Sequence, residues 1–165
     1  MTTLTVWKFP TADGADQALA KLQSLQKQQL LTIIDGATVS WPQGKKKPKT
    51  KQMVSMAGVG ALGGAFWGML FGLIFFIPFF GLAVGAAMGA LMGHFNDYGI
   101  DDSFIKQVRE KVTEGTSALF LYTANVTLDK VSNELKGMNF ELMQSNLTAE
   151  QEAKLREAFG EEAEA

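Results

Sequence analysis

Between Met53 and Gly93 the chain runs for forty-one residues without one Asp, Glu, Lys, Arg or His. Inside this run lie two glycine ladders at a four-residue step, Gly60, Gly64, Gly68 and Gly72, then Gly81, Gly85, Gly89 and Gly93. The segment Phe75-Phe76-Ile77-Pro78-Phe79-Phe80 separates them. Residues four apart stack along one side of an α-helix, so each ladder predicts a helix with a glycine face. In water each such glycine costs about 1 kcal/mol against alanine in a helix interior. In a bilayer, where apolar side chains gain nothing by leaving lipid, small residues let two backbones approach closely and gain dispersion contacts. The pattern predicts a transmembrane helical hairpin over 53–93 that turns at Pro78 and packs through two glycine-zipper faces.

A span needs roughly 20 apolar residues to cover about 30 Å of hydrocarbon. Met53 to Ile77 provides twenty-five residues and Phe79 to Gly93 only fifteen. Two tightly packed spans are the expected arrangement. The alternative is a wedge that stops inside the membrane, which favours an oligomer because irregular backbone at that depth has to be buried in protein. The competing reading is a soluble oligomer that buries its glycine faces between subunits. Homo-oligomerisation is expected, since glycine surface remains after the two arms pair.

Charge flanks the apolar run with opposite signs. Residues 1–52 carry eight Lys and three Asp, whereas residues 94–165 carry seven basic and fourteen acidic side chains. Lys45, Lys46, Lys47, Lys49 and Lys51 place five positive charges directly ahead of the hairpin. Lysines beside a membrane segment mark its cytoplasmic side and attract anionic lipid headgroups, at about 1 kcal/mol per residue near the surface. No aromatic residue interleaves them, so no nucleic-acid partner is expected. The chain has no Cys, which excludes disulfides, thiolate metal sites and Cys nucleophiles. Met1 to Pro10 alternates like a strand and lacks an apolar leader core, so no cleavable signal peptide is expected, and both termini are placed in the cytoplasm.

Outside the hairpin the pattern predicts an α+β domain. Leu4–Phe9 reads as a strand, Asp13 to about Gln29 as an amphipathic helix, and Thr32–Trp41 as a second strand. After the hairpin, His94–Asp102 is a polar exit, and Asp102 or Ser103 caps a helix over Phe104–Glu114. Ser117–Val126 is the most continuously apolar strand, Thr127–Lys136 a helix stopped by Gly137, and Phe140–Gln144 a fourth strand. Thr148 and Gln151 form a capping-box pattern for a last helix. With the insertion removed, the order is that of a ferredoxin-like βαβ-βαβ sandwich, with the hairpin between its second and third strands. The expected division is a first half over 1–44, a Lys-rich linker over 45–52, the hairpin over 53–93, a second half over 94–160 and an acidic tail over 161–165.

This combination, with its Lys-rich lead-in and the glycine ladders from Gly60 to Gly93, resembles the bacterial uncharacterised membrane-protein family known as domain of unknown function twelve-sixty-nine. The resemblance implies a bacterial protein of the inner membrane. It brings no catalytic residue and no established activity.

Nothing in the chain has the spacing of a known enzyme motif. Gly58-Val59-Gly60-Ala61-Leu62-Gly63 matches a dinucleotide fingerprint formally, but no acidic residue follows until Asp97, far beyond the position that would hold a ribose. His94, the sole histidine, reads as the polar end of the second span. Asp97, Asp101 and Asp102 read as a turn and helix cap in preference to a cation site. Trp67 and the phenylalanines around Pro78 read as interface anchors or lipid-facing bulk. No cofactor, metal or small-molecule substrate is expected. The functional expectation is a non-enzymatic membrane scaffold, in envelope or stress-related assembly, that oligomerises through glycine-zipper hairpins. The alternative is a channel or transporter subunit lined by those helices, against which stands the lack of any ionisable group in the run. A ligand-sensing role for the α+β part has no residues to name.

Overall fold

A computed structural model describes residues 2–30, 33–52, 63–76, 95–155 and 157. Among these residues, β1 (Thr2–Phe9), β2 (Asp35–Ser40), β3 (Lys49–Gln52), β4 (Ser117–Ala124) and β5 (Glu141–Leu147) form one five-stranded sheet. Its order is β3-β2-β4-β1-β5, and every neighbouring pair is antiparallel. The helices are α1 (Gly14–Lys27), α2 (Gly63–Phe71), α3 (Asp102–Lys111), α4 (Asn125–Glu134) and α5 (Ala149–Leu155), and α2 continues as a π-helical stretch over Gly72–Phe76.

The two central strands are apolar on both faces, so each face of the sheet needs a cover. On one face Trp7, Phe9, Leu119 and Leu121 meet Ala15, Ala18, Leu19 and Leu22 of α1 and Val131 of α4. On the other, Leu4, Val6, Ala37, Val39, Phe120 and Tyr122 meet Phe104, Ile105 and Val108 of α3, together with α2 and its π-helical stretch. The second cover is the described part of the segment expected to form a membrane hairpin.

Half of the expected Lys-rich linker is a strand. Lys49 pairs with Ser40, Thr50 with Val39, Lys51 with Thr38 and Gln52 with Ala37. The turn before it spans Pro42 to Pro48 and includes Gly44 at φ 88°. A polar Lys-Thr-Lys-Gln run carries no apolar alternation to mark it as a strand, yet lysines suit an edge because they discourage pairing with a second chain.

Helix starts follow local hydrogen bonding. Asp13 is the N-cap residue of α1, but its side chain makes no capping bond. Instead the Ala15 amide donates to Ser117 Oγ at 2.9 Å, and that hydroxyl donates to Thr11 O at 2.7 Å. The first residue of β4 thus caps a helix a hundred residues earlier in the chain. Gly14 is required here, because a Cβ would stand 2.5 Å from Phe9 Cβ. The cap of α3 falls one residue before the expected position, with Asp101 accepting from the Phe104 amide at 2.9 Å. Thr148 and Gln151 form the expected reciprocal box, at 2.9 and 3.1 Å.

Because Ser117 is fully buried, Ser117→Ala leaves the Ala15 amide and the Thr11 carbonyl without this partner. The expected loss is about 1–3 kcal/mol. It should be read as a lower denaturant midpoint at unchanged slope; an unmoved midpoint would show that the helix start does not depend on β4.

Candidate functional site

The apolar helix is built with two unlike faces. Phe66, Trp67, Leu70, Phe71 and Ile74 lie on a helical stripe opposite Gly64, Gly68 and Gly72. The large side chains are buried against the sheet, with Phe71 on Phe120 at 5.0 Å and 83° and Trp67 on the same ring at 6.4 Å and 85°. At the start of the helix Phe66 meets Phe95 at 5.9 Å. Both arrangements are edge-on, the favoured geometry for aromatic pairs. Trp67 and Phe75, expected to anchor in a membrane interface or face lipid, are instead core residues of the α+β body. The sheet face beneath them is apolar, and α3 shares its cover. Among the described residues no helix is long and apolar enough to cross a membrane. Trp67 Nε1 is buried with no hydrogen-bond partner among the described residues.

The glycine face points away from the sheet. Gly68 is exposed, Gly72 half-buried and Met69 44 % exposed. Among the described residues, a Cβ added at Gly68 or Gly72 would meet nothing within 4 Å. Gly64 belongs to α2 as well. Gly60, Gly81, Gly85, Gly89, Gly93, the turn residue Pro78, the outer phenylalanines Phe79 and Phe80, and His94 lie outside the described residues.

At the far end of this helix, one side chain ties it to the body. Arg109 of α3 donates from Nε to Ile74 O at 3.1 Å and from Nη2 to Leu73 O at 2.7 Å. These carbonyls lie in the last described turn, and Pro78, four residues beyond Ile74, has no backbone N–H to offer it. The guanidinium fork is suited to this because its donors diverge in one plane toward two acceptors. Sequence reasoning missed Arg109; the available signal was an Arg one residue beyond Val108, on the rim of the α3 apolar stripe.

The same end carries the Lys turn. Trp41 packs edge-on against Phe75, at 6.3 Å and 86°, and its Nε1 donates to Lys45 O at 2.8 Å. Lys45, Lys46 and Lys47 are exposed in that turn. Gln43 donates to Glu114 Oε2 at 2.9 Å, fixing the turn to the end of the α3 region. Lys49 and Lys51 lie one strand away, on the sheet face shared with Thr38 and Ser40.

Asp101 is spent on its cap, and Asp102 accepts from Asn96 Nδ2 at 3.4 Å. Among the described residues no group of His, Asp or Glu could hold a metal ion. Burial, with the Asp97 carboxylate alongside, raises the Tyr98 phenol above its ordinary value. Of the formal dinucleotide fingerprint only Gly63 is described, as the first residue of α2.

Arg109→Ala should loosen the helix without opening the sheet. Hydrogen exchange is expected to quicken over 70–76 while β1 and β4 keep their protection, with a global cost of about 1–3 kcal/mol. Arg109→Lys should restore little, since a single ammonium does not reproduce the fork. Full rescue by Lys would show that charge alone holds the helix.

A family model described as Protein of unknown function (DUF1269) matches residues 61–160, and the chain belongs to that family. No curated protein and no solved structure matches the chain.

Proposed function

We propose that this chain is a non-enzymatic, membrane-associated protein that assembles into homo-oligomers through the glycine face of α2. The α+β body is read as ferredoxin-like: with β3 set aside, the strand order β2-β4-β1-β5 and the two crossover helices α1 and α4 follow that pattern. The observation that carries the proposal is the division of α2. Its large side chains are committed to the sheet, while Gly68 is exposed, Gly72 is half-buried, and a Cβ at either would meet no described residue within 4 Å. A close-approach surface of that kind suits a second helix, and ten further charge-free residues precede α2 while seventeen follow Phe76.

Gly68→Leu with Gly72→Leu tests the assembly. Because a Cβ at either position would meet nothing within 4 Å among the described residues, the body should fold with unchanged sheet protection while native mass falls toward the monomer. An unchanged multimer would remove the glycine face from the interface.

Membrane association is assigned to the end where the Lys turn meets Phe75. There the turn carrying the exposed Lys45, Lys46 and Lys47 is tied through Trp41 to Phe75, the first residue of the apolar sequence Phe75–Phe80. Reversing these three lysines to Glu should abolish flotation with vesicles containing anionic lipid, and raised salt should mimic the change. Flotation that survives both would assign membrane binding to apolar insertion alone.

A second reading, a soluble multimer with its glycine helices buried between subunits, is favoured by the burial of Phe66, Trp67 and Phe71 against the sheet. Fractionation without detergent separates the two: recovery in carbonate-resistant membranes supports membrane association, and recovery of a multimer in the supernatant supports the soluble assembly.

A further inference from the structure

The β2–β3 hairpin extends past the cover that α1 gives the sheet, and an open groove of about 460 Å³ lies in the angle between them. Strand pairing determines which side chains face it. Lys49 stands opposite Ser40 and Lys51 opposite Thr38, so two ammoniums and two hydroxyls alternate on one face. Asp16, exposed in the first turn of α1, stands on the opposite wall, and Pro42 closes one side.

The two walls differ in hydrogen-bonding character. Lys49 and Lys51 are donors only, and among the described residues neither forms an ion pair. Ser40 Oγ already donates to Ala12 O at 2.6 Å, so it offers the groove an acceptor. Asp16 offers a second acceptor and a negative charge. A simple dianion would gain from the lysines but be repelled by Asp16, whereas a small molecule with a phosphate at one end and an amine at the other satisfies both walls. A nucleotide fits poorly, because among the described residues no aromatic ring lines the groove to stack a base.

We infer that this groove binds a small zwitterionic phosphoester. Lys49, Lys51 and Thr38 hold its phosphate, and Asp16 with Ser40 Oγ holds its amine. Phosphoethanolamine has this chemistry, either free or as the headgroup of a phospholipid. The site lies on the sheet face away from α2, so it depends neither on the glycine interface nor on the lysines of the turn.

Titration of the full-length protein with phosphoethanolamine and with inorganic phosphate tests the assignment. Lys49→Gln with Lys51→Gln should weaken both probes roughly tenfold or more, the effect of losing a charge-assisted hydrogen bond. Asp16→Asn should weaken phosphoethanolamine by a similar factor and leave inorganic phosphate unweakened, a split that general loss of charge would not give. Lys45→Gln with Lys46→Gln should change neither. Vesicles of phosphatidylcholine with and without phosphatidylethanolamine distinguish the sources: selective capture by the latter assigns a lipid headgroup, and binding of the free compound alone assigns a soluble ligand. No saturable binding of phosphoethanolamine in either form, or equal losses from the groove and turn variants, would overturn the inference.

Discussion

The contact of Phe120 with Trp67 and Phe71 joins the two halves of this molecule. Phe120 sits in the middle of β4, the strand that lies between β2 and β1 and holds the sheet together. Its neighbours Leu119 and Leu121 face α1 and α4, so the strand is apolar in both directions. Each fully buried side chain of this size contributes about 1.5–3 kcal/mol relative to exposure. With one face satisfied by the two crossover helices, the other draws in the most apolar helix available. The arrangement of α2, the Arg109 clamp at its end and the outward direction of its glycines all follow from that demand.

Much of this was legible, though not where the strongest signal lay. The continuous apolar run of β4 identified an interior strand, and the capping box at Thr148 and Gln151 formed with the expected reciprocity. The boundary of β3 was hidden because an edge strand needs no apolar face, and its lysines read as a linker. Within α2 and its π-helical stretch no hydroxyl, amide or charged side chain marks the solvent side, so polarity could not say which face turns inward. Size could: the bulky positions at 66, 67, 70, 71 and 74 complement the glycines at 64, 68 and 72. The glycines were read as a packing face, while Trp67 and the phenylalanines around Pro78 were read as interface anchors or lipid-facing bulk. A strand buried on both sides already implied a second cover, which the amphipathic α3 and the inserted segment supply together.

The candidate surfaces are separated by chemistry as well as by position. The glycine face is neutral, the turn at Lys45–Lys47 is a cluster of exposed charges with its backbone held at Lys45 by Trp41, and the groove at Lys49 and Lys51 is a shaped polar wall. Five lysines that look like one run in sequence therefore divide into two structural settings, because strand geometry begins between Lys47 and Lys49. A turn lysine acts through its net charge, which salt screens. A strand lysine has a fixed side of the sheet and fixed neighbours, and so can discriminate among ligands.

The strand order also sets a timetable for the nascent chain. β1 and β2 are not neighbours; each pairs with β4, and β4 is synthesised after the whole apolar run. While α2 leaves the ribosome, the sheet face that will shelter it does not yet exist. At ordinary elongation rates the interval before β4 follows is on the order of a few seconds. For that time the most hydrophobic segment of the protein is without its intramolecular cover, and whatever meets it first, a chaperone, a bilayer or another nascent copy, competes with a sheet still to be completed.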